Sequence, residues 1–322
     1  MAYSIEEARQ KRRERRTRQV NPSIVYEQQI LPVNDGAIPK GQMGVVTGCK
    51  WLHWPFVAAN AIALAGQGIS FAVADHGLLE WQRCELKRVG VQWIEHDRPE
   101  NTHATHRPGI ISDRNAWWKP FVCAASPFQV SAWIDADAVV VGPIDELLSS
   151  SPAVSTQHRF MEDGERLYRK LTSHLFGDDA LPLLSRVQAI NSGVLSWKQG
   201  DGLIEDWQRW CQRLLDDPKS LPMCSVRDQS AMVMMLVERA IDGIAWPCLL
   251  EDGWNWPADG LTMQHTRHRK PVSSDPAELL ETAIERHPEA KIVHWLGRVK
   301  PWGRCRNGWP IGMSDRPCER RV

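Results

Sequence analysis

Asp135 and Asp137 stand two residues apart at the end of an apolar run, in Trp133-Ile134-Asp135-Ala136-Asp137-Ala138-Val139. In an extended segment the side chains at i and i+2 project to one side, so these two carboxylates converge. Two anions held close repel unless a cation sits between them, which makes a divalent metal their natural companion. A nucleotide diphosphate has the opposite need, because its clustered charge must be neutralised both to bind and to leave. A D-x-D pair is weak by itself and leaves three readings: group transfer from a nucleotide diphosphate, phosphatase chemistry, and a solvated turn.

The elements that must position this pair follow an alternating pattern. Gly44 to Thr47 reads as a short buried strand, and His53 to Ala65 as a helix with Pro55 near its start. Ile69 to Ala74 is a second strand, closed by Asp75-His76-Gly77. Leu78 to Lys87 is helical and Val91 to Ile94 is a third strand. This β-α-β-α-β order predicts an α/β fold, a mainly parallel sheet with helices on both faces. In such sheets ligands bind in the crevice beyond the carboxyl ends of the strands, where Asp135 and Asp137 would lie after the strand Val130 to Ile134. Asn115 to Ala125, Ile144 to Leu148 and Asp228 to Arg239 read as further helices. Ile204, Trp207, Cys211, Leu214 and Leu215 mark an amphipathic one.

Several segments, taken together, resemble glycosyltransferase family 8, the glycogenin-like retaining nucleotide-sugar transferases of GT-A fold. They are Trp118-Lys119-Pro120, Ala132 to Asp137, Gly142-Pro143-Ile144-Asp145-Glu146-Leu147, Ile190-Asn191-Ser192-Gly193-Val194-Leu195, Asp228-Gln229 and Trp254-Asn255. The most specific is His294-x-x-Gly297-x-x-Lys300-Pro301-Trp302, which matches that family's H-x-x-G-x-x-K-P-W in full. The elements fall in family order across roughly residues 43–302. Asp135-x-Asp137-x-Val139 also fits the haloacid-dehalogenase signature of Mg-dependent phosphatases, with Asp135 as nucleophile. That signature opens its domain on the first strand, whereas about three strands precede it here.

The resemblance implies a site. His294 would join Asp135 and Asp137 as third ligand of a Mn²⁺ ion, with Mg²⁺ as substitute, a choice that suits a mixed oxygen and nitrogen set. Lys300, with Gly297 in the same motif, would bind the diphosphate as a point charge. Lys119 would contact the donor. Asn191 and Ser192 would bond donor hydroxyls, and Gly193 would allow close backbone approach. Asp228 would bind sugar hydroxyls and Gln229 would lie beneath the anomeric carbon. An amide there is a poor nucleophile, which favours front-face substitution with retention over double displacement. Thr47 and Trp51, after the first strand, are candidates for contact with and stacking on the base of a UDP-sugar.

Composition narrows the remaining classes. The chain has 322 residues, formal net charge zero, 43% apolar and 24% charged residues, so no global field draws it to nucleic acid or membrane. Eight cysteines form no CxxC, which excludes zinc ribbons and points to a reducing, cytoplasmic setting. No run approaches the length that spans a bilayer. Sixteen Trp against three Tyr suit cores and sugar-stacking surfaces alike. Arg9 to Arg18 carries seven basic residues and one acid. With the linker marked by Pro22, Pro32 and Pro39 it defines a basic arm over residues 1–40, ahead of a catalytic domain over 41–322. The arm allows peripheral contact with the inner face of a membrane, or with nucleic acid in a non-catalytic binding module. The basic, aromatic stretch Glu251 to Lys270 could meet a sugar phosphate, a lipid-linked saccharide or a nucleic-acid base; the default expectation for the acceptor is a saccharide or glycolipid of the bacterial envelope, with DNA as the outsider.

Overall fold

The computed structural model describes residues 42–100, 117–156, 162–184, 190–224, 227–250, 252–258 and 275–295. The basic arm, most of the Glu251 to Lys270 stretch, and Gly297 and Lys300 with the rest of their motif lie outside the described residues.

Three strands, β1 (Met43–Cys49), β2 (Ser70–Asp75) and β3 (Gln92–Ile94), are linked by helices α1 (Trp54–Gly66) and α2 (Glu80–Arg88). They pair in parallel, with Val45 opposite Phe71 and Val73 opposite Trp93. β4 (Val130–Ile134) joins β1 on its other side, also in parallel. The next neighbour, β7 (Ile190–Lys198), runs antiparallel to β4, with Ile134 opposite Val194. Beyond it lie β6 (Ala153–Thr156), antiparallel to β7, and β8 (Cys248–Leu250), parallel to β6. The seven-stranded order is β3-β2-β1-β4-β7-β6-β8. The α/β class and the parallel half are as the sequence predicts; the reversed β7 makes the sheet mixed. That reversal brings the amino end of β7 to the same edge as the carboxyl ends of its neighbours.

Both faces of the sheet are covered, because strand residues alternate between two apolar layers. Val46, Trp133 and Leu195 pack with Tyr168 of α5 (Glu162–Phe176), Trp207 of α6 (Leu203–Asp216) and Met232 of α7 (Arg227–Ile241). Val45, Ile134 and Val194 pack with Val57 and Leu64 of α1 and Leu147 of α4 (Asp145–Ser149). α3 (Lys119–Ala124) is shorter than the predicted 115–125 helix, with Pro120 in its first turn, where a missing N–H costs nothing.

A second, three-stranded sheet is ordered β5-β10-β9, from Ala138–Val140, Ile292–His294 and Trp256–Pro257. Helix α8 (Pro276–Arg286) backs it, with Leu279 and Ala283 buried against Val139, Val293 and Phe56. Its register matters for the site. His294 faces Ala138 on one side and Pro257 on the other, so a residue 157 positions along the chain from Asp137 is delivered beside it. Among the described residues no helix is long and apolar enough to cross a membrane.

Candidate metal centre and its crevice

The chain leaves β4 at Ile134 and turns sharply, Ala138 N donating to Asp135 O at 3.0 Å, before β5 begins. Asp135 is anchored across the sheet, its N–H donating to Gly193 O at 2.8 Å. Asp137 is tied to the second sheet, its carbonyl accepting from Trp295 N at 2.9 Å. The two carboxylates therefore sit where the two sheets meet, and His294 comes to them from β10.

Asp135, Asp137 and His294 each offer a ligand atom, and the three atoms lie within 4.8 Å of one another. His294 Nε2 is 2.9 Å from Asp137 Oδ1 and 3.8 Å from Asp135 Oδ2. An octahedral ion with bonds of about 2.1 Å spaces adjacent ligand atoms about 3 Å apart, so the set fits a small divalent cation after slight adjustment. Hard carboxylate oxygens with one imidazole suit Mn²⁺ or Mg²⁺ better than a thiophilic ion. Both carboxylates are about one-fifth exposed while the imidazole is buried, which leaves the open side to ligands from the crevice.

Lys119 lies beside this centre. Its Nζ is 2.7 Å from Asp135 Oδ1 and 2.9 Å from Asp228 Oδ2, and it also donates to Ser192 O at 3.1 Å. Burial disfavours its charge, but the two carboxylates outweigh that effect and hold its pKa above the ordinary lysine value. Asp135 Oδ1 also accepts from Trp133 Nε1 at 2.7 Å. Asp228 sits in the first turn of α7 and accepts from Ser192 Oγ at 2.8 Å, while its backbone carbonyl accepts from Trp207 Nε1 at 2.8 Å. Gln229, one residue on, donates through Nε2 to Tyr168 Oη at 3.2 Å. A buried cation thus joins the acid of the metal centre to the acid at the start of α7.

Behind the imidazole lies a neutral network. Asn191 Oδ1 accepts from Gly193 N at 2.7 Å and from Asn255 Nδ2 at 2.9 Å. Asn255 Oδ1 meets His294 Nδ1 at 2.8 Å. Gly193 is closely packed: a Cβ there would stand 2.7 Å from Asn191 Oδ1 and 2.8 Å from His294 Cε1, so one of those side chains would have to shift.

On β1, the strand beside β4, Thr47 is buried and its Oγ1 has no hydrogen-bond partner among the described residues. Trp51 opens a 3-10 turn, with its backbone held by Gly77 and Gln82 at 3.1 Å and 3.0 Å. Beyond Thr47, after the carboxyl ends of β2 and β3, stand groups that the motifs did not mark. His76 Nε2 and His96 Nε2 are 3.1 Å apart, both rings contact Trp118, and Arg98 lies 4.5 Å over the Trp118 ring. A Cβ on Gly48 would overlap the His76 ring. Burial, together with His96 and Lys50, lowers the His76 pKa to about 3. The Asp75-His76-Gly77 turn was visible as the end of β2; nothing near His96 in sequence marks it as its partner.

The structure thus gathers Lys119, Asp135, Asp137, Asn191, Ser192, Gly193, Asp228, Gln229 and His294 around one end of the crevice. Thr47 and Trp51 belong to β1 and the turn that follows it. Ser155 and Tyr168 are further members of the network that no motif signalled.

No protein-family model and no curated protein matches this sequence. Among solved structures, the chain is similar to the galactosyltransferase LgtC in complex with donor and acceptor sugar analogues, at 15% identity. That match covers 83% of this chain and 92% of that one, with a TM-score of 0.49. It is also similar to the glycosyltransferase GlyE of Streptococcus pneumoniae, at 15% identity, 82% and 57% coverage and a TM-score of 0.46. A third is mouse xyloside xylosyltransferase 1, at 14% identity, 79% and 97% coverage and a TM-score of 0.41.

Proposed function

We propose that this chain is a metal-dependent retaining glycosyltransferase that moves a sugar from a nucleoside diphosphate, UDP by preference, onto the hydroxyl of a saccharide or glycolipid acceptor. The observation that carries this reading is the meeting of Asp135, Asp137 and His294, from two different sheets, within 4.8 Å at the carboxyl edge of the strands. A turn of solvated acids has no need of a buried imidazole drawn from a strand near the far end of the described chain.

In this reading Asp135, Asp137 and His294 hold Mn²⁺, or Mg²⁺ in its place, which when bound neutralises the pyrophosphate as a Lewis acid. The remaining work falls to the chain's own groups. Lys119 holds the carboxylates of Asp135 and Asp228 on either side of its ammonium, so that both are preorganised before donor arrives. Asp228 then orients sugar hydroxyls, helped by Ser192, and Gln229 presents its amide to the anomeric carbon. The leaving phosphate oxygen takes the acceptor's proton as the new glycosidic bond forms on the face from which the nucleotide departs. Lys300, with Gly297 in the same motif, would bind the diphosphate. Thr47 and Trp51 would meet the base at the β1 end. The unit 41–322 is the proposed catalytic domain, preceded by the basic arm over 1–40.

A phosphatase built on Asp135 as nucleophile fits less well, because Oδ1 of that carboxylate is already held by Lys119 and Trp133 and Oδ2 faces His294. The test is UDP-sugar hydrolysis with and without Mn²⁺ in the wild type, Asp137→Ala and His294→Ala proteins. The expected result is metal-dependent hydrolysis that falls on the order of 100-fold or more in each variant. Metal-dependent hydrolysis untouched by both substitutions overturns the assignment.

A further inference from the structure

His294 can serve as a metal ligand only if its facing nitrogen carries a lone pair, and the question is what decides that. The answer can be traced through hydrogen bonds whose direction is unambiguous. Gly193 N–H is a donor and cannot be otherwise, so the Asn191 atom it meets at 2.7 Å is the carbonyl oxygen Oδ1. That oxygen also faces Asn255 at 2.9 Å, so the Asn255 atom there must be the amide nitrogen Nδ2. A second, independent contact requires the same orientation. Ser155 Oγ donates its single proton to the backbone carbonyl of Asn191 at 2.9 Å, so towards Asn255, also 2.9 Å away, it can only accept.

With its nitrogen committed twice, the Asn255 amide turns its oxygen to His294 Nδ1, 2.8 Å away. An amide oxygen accepts, so Nδ1 must carry the proton. Nε2 is left to face Asp137 Oδ1 at 2.9 Å and Asp135 Oδ2 at 3.8 Å. Asn255 and His294 are both buried, so water does not compete for these bonds.

We propose that Asn255, fixed by Ser155, Asn191 and the Gly193 backbone, is the positioning residue that sets the His294 tautomer, with the proton on Nδ1 and Nε2 as the ligand atom. The role assigned to that ligand atom rests on the metal-dependent reading above; the direction of the hydrogen bonds does not. Amide-to-imidazole contacts of this kind orient ligating histidines, and losing one typically weakens metal binding by about 10–100-fold.

The test has two arms. In ¹⁵N-labelled full-length protein, the His294 ring nitrogens are assigned by comparison with His294→Gln and read at alkaline pH, where an imidazole is neutral, with and without Mg²⁺. The expected spectrum keeps the proton on Nδ1 in both conditions; a proton on Nε2 with Nδ1 bare overturns the proposal. In the second arm Mn²⁺ binding is followed by electron paramagnetic resonance. Asn255→Leu should weaken it about 10–100-fold, and Asn255→Asp, which still accepts from Nδ1, should weaken it less. Wild-type affinity in Asn255→Leu also overturns the proposal. Should Asn255→Leu fail to fold, the wild-type ring spectrum decides alone. Wild-type protein that keeps Nδ1–H but binds no Mn²⁺ removes the metal-dependent reading and leaves the hydrogen-bond relay standing.

Discussion

Lys119 shows how one side chain determines the state of several others. Its ammonium touches carboxylates of Asp135 and Asp228 at 2.7 and 2.9 Å in a buried setting. Lys119→Met leaves the two acids facing each other with no cation between them, and should cost about 3–5 kcal/mol of stability. Urea unfolding checks this, with an unchanged midpoint as the contrary result. His76 makes the opposite case, a base kept neutral. Its pKa falls from 6.5 to about 3 in the folded chain, so between those values the unfolded chain takes up a proton that the folded one refuses. The stability held by a neutral His76 is therefore complete above about 6.5 and declines as pH drops towards 3. Melting temperatures measured across that window should fall less steeply in His76→Gln than in the wild type; parallel curves would contradict the shift. Motif spacing made Lys119 a candidate, but it said nothing of Asp228 as its second partner, because 109 positions of chain separate the two.

At the scale of elements, the parallel half of the sheet was legible because its signal is local. Short apolar strands alternate with helical periods, and Gly and Pro punctuate them. The reversal of β7 carried no such mark, since Ile190 to Lys198 reads the same in either direction. Yet the reversal is what brings Asn191, Ser192 and Gly193 to the crevice, with Ile134 opposite Val194. The fit of β7 against β10 is tight at Gly193, where an added Cβ meets Asn191 Oδ1 at 2.7 Å and His294 Cε1 at 2.8 Å. Gly193→Ala should therefore destabilise the protein by about 1–3 kcal/mol through overpacking. It should also weaken Mn²⁺ binding, because the ring that must move is His294. Equal Mn²⁺ affinity in calorimetric titration, with stability lowered, would show that the ring accommodates the methyl without leaving its place.

For the whole molecule, the crevice is built from elements that must all be folded for it to exist. Donor and metal should then stabilise the native state together. A nucleotide at 100 times its dissociation constant adds about 2.7 kcal/mol, which raises the melting temperature by several degrees. UDP with Mn²⁺ should produce that shift, and UDP with a chelator should produce little of it. The same shift in Asp137→Ala would mean that the nucleotide binds independently of the carboxylate pair.

The residues themselves, without coordinates, determined the α/β class, the converging pair Asp135 and Asp137, and His294 as their candidate partner. The first two rest on periodicity and short spacing, which are local properties of a chain; His294 is implied only by the resemblance of its H-x-x-G-x-x-K-P-W segment. Tertiary structure alone decided that Lys119 bridges two acids, that His76 meets His96, and that Asn255 faces His294 with its oxygen. Each of those facts depends on register between strands, or on packing between elements, that lie far apart in sequence. Hydrogen-bond direction in a buried network is set by whichever donors and acceptors the fold brings into contact.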